Sequence, residues 1–123
     1  MGWEWYMQVL KQYAVFSGRA PRREYWFFVL WYLIISIGLA VIDTLLGLRI
    51  GNAGLLQSLY ALALLIPSIA VTVRRLHDTG RAGWWVLIVL VPLVGFIVLL
   101  IFMLLDTEPR DNEYGPAPKA AAA

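Results

Sequence analysis

From residue 25 onward the chain alternates long apolar runs with short charged interruptions. Residues 25–46, 53–73 and 83–105 are each almost wholly apolar. At about 1.5 Å of rise per residue, each is long enough as a helix to cross a hydrocarbon core of about 30 Å. The first run opens on Tyr25 and Trp26, and the third on Trp84 and Trp85 just after Gly83. Such rings anchor the ends of spans at the headgroup level. Ser36 and Gly38 in the first run are small residues suited to helix packing. In the second, Gln57, Ser58, Tyr60, Ser68 and Thr72 make a polar side that should face the bundle. Pro67 predicts a kink in the second run. Pro92 and Gly95 interrupt the third near its middle. A kinked single crossing is the expectation there, because a re-entrant hairpin would leave each arm about ten residues, short of the roughly 20 a crossing needs.

Residues 3–16 show a different pattern. Trp3, Tyr6, Met7, Leu10 and Ala14 recur at three- and four-residue spacing with Glu4, Gln8, Lys11 and Gln12 largely between them. This predicts an amphipathic helix at the interface, too short and too polar to span. Gly18 and Pro21 break it and open the next helix. Beyond residue 106 the chain turns polar and rich in Pro and Gly, which reads as a tail. The predicted fold is therefore all-α, an integral membrane helical bundle with an amphipathic N-terminal helix plus three transmembrane helices. Residues 1–106 form the membrane domain and 107–123 the polar C-terminal tail.

Composition supports the membrane as solvent. The chain has 123 residues, 61% hydrophobic and 15% charged, where a soluble domain is nearer half apolar and a quarter charged. A soluble chain this small could not hide so much apolar surface. A net charge of +2 is too mild to argue for nucleic acid. The first residues lack the basic n-region of a cleavable signal, and Met-Gly fits a myristoylation pattern poorly. The placement of charge is more informative than its sum. Lys11, Arg19, Arg22 and Arg23 precede the first run, and Arg74, Arg75 and Arg81 follow the second. Arg49 stands alone in the first connection, with Arg110 and Lys119 in the tail. The excess on one side places the N-terminus and residues 74–85 in the cytoplasm and, with three spans, the tail outside. A tail docked on the arginine-rich side would rule out three crossings.

Little of the chemistry of known enzymes is present. No phosphate-cradling loop, nucleophile elbow or HExxH pattern occurs, so no enzymatic activity is expected. With no cysteine and one histidine, the chain has no metal-ligand set, and no cofactor is expected. His77 and Asp78 are adjacent and on a helix would point about 100° apart. Residues 74–85, RRLHDTGRAGWW, read first as a helical hairpin corner. Arg74 and Arg75 suit a helix C-terminus, Gly80 a left-handed C-cap, and Asp78 or Thr79 the start of the next helix. A second reading joins Arg19, Arg22, Arg23, Arg74, Arg75 and Arg81 into a cytoplasmic collar for anionic lipid headgroups. In it, His77 with Asp78 forms a pH-sensitive polar site. Asp43 reads as a water-exposed acid or a partner of Arg49, with a proton or ion site as the functional alternative. The two functional classes are a non-enzymatic membrane protein whose collar binds anionic lipid or a membrane partner, and a small oligomeric channel or transporter. Small residues in the spans suggest a homo-oligomer in either case.

Three segments carry a resemblance: FSGRAPRREYW (residues 16–26), RRLHDTGRAGWW with the following VPLVG (residues 91–95), and NEYGPAP (residues 112–118). In order and spacing the chain resembles the bacterial inner-membrane family of unknown function 805. The resemblance implies a small multi-pass protein of the inner membrane with no established activity. Ala82, Arg110 and Glu113 depart from the family's usual residues. The resemblance also implies that Asn112, Tyr114, Gly115 and Pro116 dock on the bundle rather than trail as a linker.

Overall fold

The computed structural model describes residues 2–105 and 111–115. Pro116 and the expected tail other than residues 111–115 lie outside the described residues. Helix α1 (Trp3–Lys11) is shorter than the expected 3–16 and ends at Gln12. Glu4 in its first turn and Lys11 in its last complement the helix dipole. Tyr6 and Val9 are its buried face. Tyr6 stacks on Phe28 with centroids 5.6 Å apart, and its hydroxyl lies 2.6 Å from that of Tyr60. Trp3 stands edge-on to Trp31 at 5.2 Å. The aromatics of α1 thus hold it against the following helix.

Helix α2 (Arg22–Leu46) is long and apolar enough to cross a membrane. It starts after Pro21 and stops at Gly47, whose left-handed φ of 67° costs a glycine nothing. The first connection is more than a turn. Strands β1 (Arg49–Ile50) and β2 (Ala53–Gly54) pair antiparallel, Arg49 opposite Gly54 and Ile50 opposite Ala53. Helices α3 (Leu55–Ala63) and α4 (Leu65–Asp78) follow, bent 45° to each other at Leu64. Taken together they are a second stretch long and apolar enough to cross. The bend lies upstream of Pro67 because a proline has no N–H for the carbonyl four residues back and clashes with it, here that of Ala63.

The third run departs from expectation. Gly83–Leu90 is a 3-10 helix of 8 residues, and α5 (Val94–Leu104) has 11. Between them the chain reverses. The Val94 N–H donates to the Pro92 carbonyl at 2.7 Å, with Leu93 at φ 64°, ψ −60°. This is the rare γ-turn with positive φ. Trp85 meets Phe102 edge-on at 5.4 Å, and the Arg81 guanidinium lies 4.2 Å above the same ring. A Cβ on Gly95 would fall 1.6 Å from the Ile88 carbonyl oxygen, so only glycine lets the arms meet. Residues 83–105 are a hairpin that leaves the arginine-rich end and returns to it, not a single helix running to the opposite end. Two facts fix the return: Trp26 Nε1 donates to the Met103 carbonyl at 3.0 Å, and Arg22 Nη1 to that of Leu104 at 3.1 Å.

Candidate site: a buried charge cluster at the helix ends

Helix α4 ends in a Schellman motif. Arg81 N–H donates to the Leu76 carbonyl at 2.9 Å and Gly80 N–H to that of His77 at 3.0 Å, with Gly80 at φ 79°. The expected glycine cap is present. Asp78 and Thr79 do not cap the next segment, which begins after Ala82 without a side-chain cap. The last two and a half turns of α4 are buried, from Ala70 through Asp78.

This enclosure decides the fate of the arginines. Asp78 accepts from Arg75 Nη1 at 2.7 Å and from Arg19 Nε at 3.0 Å, all three side chains being at most 2% exposed. Arg75 also reaches the end of α5, donating from Nε to the Met103 carbonyl at 3.4 Å and from Nη2 to that of Leu105. The last carbonyls of a helix lack internal partners and favour cations, so Arg75 serves as cap and counter-ion together. Arg74 turns the other way. It is ion-paired with Glu24 and donates to Gln12 Oε1 at 2.7 Å and to the Val15 carbonyl at 3.1 Å. It thereby ties α4 to α2 and to the end of α1. The Ala20 N–H adds a backbone bond to the Arg74 carbonyl at 3.0 Å.

His77 and the tail complete the cluster. His77 Nδ1 donates to the Gly18 carbonyl at 2.9 Å. Tyr114 lies flat on the imidazole, with centroids 3.9 Å apart and planes 2° from parallel. Asn112 donates to the His77 carbonyl at 3.0 Å and accepts from the Tyr114 N–H at 2.8 Å, closing an Asx turn. Arg19 donates to the Gly115 carbonyl at 3.2 Å and to the Asp78 carbonyl at 3.1 Å. A hydrogen bond with Glu113 pushes the Tyr114 phenol above its ordinary value. Gly83 is required beside this group, since a Cβ there would fall 2.7 Å from Val73 Cγ1. Residues 112–115 therefore dock at the arginine-rich end, as the resemblance implies and contrary to a tail on the far side.

The six-arginine collar does not form as one surface. Arg19, Arg74 and Arg75 are internal, because each has a carboxylate or helix end to satisfy. Arg22 and Arg23 remain exposed at the start of α2, and Arg81 is half-buried over Phe102. Of the aromatic anchors, Trp84 is exposed, Trp85 faces Phe102, and Tyr25 and Trp26 pair edge-on at 5.0 Å. Asp43 is neither water-exposed nor held to Arg49. It is 1% exposed and accepts from the Leu56 and Gln57 N–H groups at 2.9 and 3.0 Å. It caps α3 from the neighbouring helix, and Gly54 makes room, since a Cβ there would lie 2.3 Å from Asp43 Oδ2. Glu24 and Gln12 were not anticipated in the cluster. The available signal was Glu24 itself, a lone acid beside Arg22 and Arg23. Among the described residues, no group of three or more His, Asp or Glu could hold a metal ion.

The family model described as protein of unknown function DUF805 matches residues 13–116, a stretch that contains the whole cluster except Gln12. The chain belongs to the DUF805 family. Inner membrane protein YhaH of Escherichia coli K12 is 42% identical over 117 residues, covering 94% of this chain and 97% of that protein. Inner membrane protein YhaI of the same strain is 45% identical over 116 residues, covering 94% and 96%. The uncharacterized protein YiiR matches a shorter stretch, 36% identical over 77 residues and 49% of its own length. No solved structure matches this DUF805 chain.

Proposed function

We propose that this protein is a non-enzymatic, multi-pass component of the bacterial inner membrane that engages anionic lipid headgroups at its cytoplasmic face. The location rests on the likeness to the inner membrane proteins YhaH and YhaI together with the apolar α2. The observation that carries the binding role is the pair Arg22 and Arg23. Both are exposed at the start of α2, whereas the side chains of Arg19, Arg74 and Arg75 are enclosed within the fold. Arginine's planar fork suits phosphate, and each basic residue near an anionic leaflet adds roughly 1 kcal/mol. The buried cluster is then a clasp that fixes the helix ends, and the exposed pair is the contact surface. Self-association through the apolar helix faces is part of this reading, and native mass spectrometry reports it directly.

Transport has less support in the structure. Asp43 and His77, the groups it would use, are each committed to a backbone partner. The test of the binding role is lipid retention by the purified chain. Arg22→Gln with Arg23→Gln should lower retained phosphatidylglycerol about tenfold relative to phosphatidylcholine, with membrane insertion intact. Unchanged retention would sink the reading.

A further inference from the structure

We propose that one anionic phospholipid seats in the groove between the first turns of α2 and the end of α5, its phosphate at Arg22 and Arg23 and one acyl chain along Trp26, Phe27 and Leu30. This rests on the headgroup reading above and adds a defined site to it. The groove is shallow and open, takes Leu104 of α5 into its lining, and has a volume of about 450 Å³. That lies within the roughly 300–1,000 Å³ of small-ligand sites. On α2 the lining falls into rows four residues apart, Arg22–Trp26–Leu30 and Arg23–Phe27, so polarity is graded along one helix face. Both charges stand at one end and the floor is apolar. An acidic peptide would match the arginines but leave that floor unmatched, whereas a phospholipid matches both ends.

The groove is also held in shape. Trp26 is pinned by its bond to the Met103 carbonyl and Arg22 by its bond to Leu104. Phe27 is backed by Gly2, where a Cβ would fall 2.0 Å from the ring. A site with fixed walls loses less ordering entropy on binding than a flexible surface. Arg23 is exposed and carries no hydrogen bond or ion pair among the described residues, which leaves its fork for a phosphodiester.

The test is native mass spectrometry of the full chain in detergent with added phosphatidylglycerol. The expected result is one retained lipid per chain, weakened about fivefold by Arg23→Gln. Leu30→Trp fills the groove at an exposed position without changing charge, and should weaken retention several-fold. Lys11→Gln, also basic and exposed but outside the groove, should leave it unchanged. If Leu30→Trp retains lipid as the parent does while Arg23→Gln does not, the groove is overturned and the headgroup reading stands. If neither variant matters, both fall. Displacement of the lipid by millimolar inorganic phosphate alone would mean a bare anion site and would overturn the acyl seat.

Discussion

Arg19 and Arg75 share the carboxylate of Asp78, and all three side chains are shielded from solvent. Removing that carboxylate leaves two buried guanidinium groups without a counter-charge, a loss of about 3–5 kcal/mol for a buried pair. Asp78→Ala should therefore lower the unfolding midpoint strongly in a detergent melt and release residues 111–115 to faster amide exchange. The Arg74–Glu24 pair behaves differently when both members change. Arg74→Met with Glu24→Leu should recover most of what Glu24→Ala loses, because the desolvation cost disappears with the charges. A double variant as unstable as the single one would contradict this. The sequence pointed to these residues as a group and assigned them the wrong direction. Six basic residues on one side of a membrane suggest a surface, and only the packed positions of Asp78 and Glu24 turn three of them inward. Asp43 was misread for a related reason: the N–H groups it caps belong to a helix 13 residues on, and no local spacing announces them.

At the scale of elements, α2, the bend near Pro67, the glycine cap at Gly80 and the amphipathic α1 follow from local pattern. The hairpin of residues 83–105 does not. An unbroken apolar run has no periodicity that separates a crossing from a reversal. Length does not separate the two, because the arm of a reversing hairpin can be half as long as a crossing. Eight residues of 3-10 helix at about 2.0 Å each and 11 of α-helix at about 1.5 Å each both come to roughly 16 Å, half of a 30 Å core. Pro92 and Gly95 were the available signals, the one stopping a helix and the other permitting close approach. Leu93 carries the strain of the reversal and is 73% exposed, so its side chain contributes little burial. Leu93→Gly should relieve backbone strain of order 1–3 kcal/mol, offset by about 0.4–1 kcal/mol of added unfolded-state freedom. A net stabilisation near 1 kcal/mol is expected in a denaturant titration. A destabilised variant would argue against the γ-turn.

For the molecule as a whole, the decisive relation is that Gly18, Arg19, the end of α4, both ends of the hairpin and residues 112–115 all meet at one end. Ends gathered in this way are what an even number of membrane crossings would give. Crossings by α2 and by the bent pair α3–α4, with the hairpin entering from the arginine-rich face, would put residues 112–115 beside the N-terminal segment. The β-hairpin around Asn52 would then stand on the other side. The absence of native cysteines makes the distinction clean. Single substitutions Ser17→Cys, Asn52→Cys and Glu113→Cys all fall at exposed positions. In intact cells a membrane-impermeant maleimide should label Asn52→Cys alone, and permeabilisation should open Ser17→Cys and Glu113→Cys together. A Val91→Cys at the hairpin tip should stay unreactive in both conditions if the tip is seated in hydrocarbon. Three crossings would instead expose Glu113→Cys with Asn52→Cys and separate it from Ser17→Cys. That outcome would place residues 112–115 across the bilayer from Arg19 and His77, which their hydrogen bonds and ring contact do not allow.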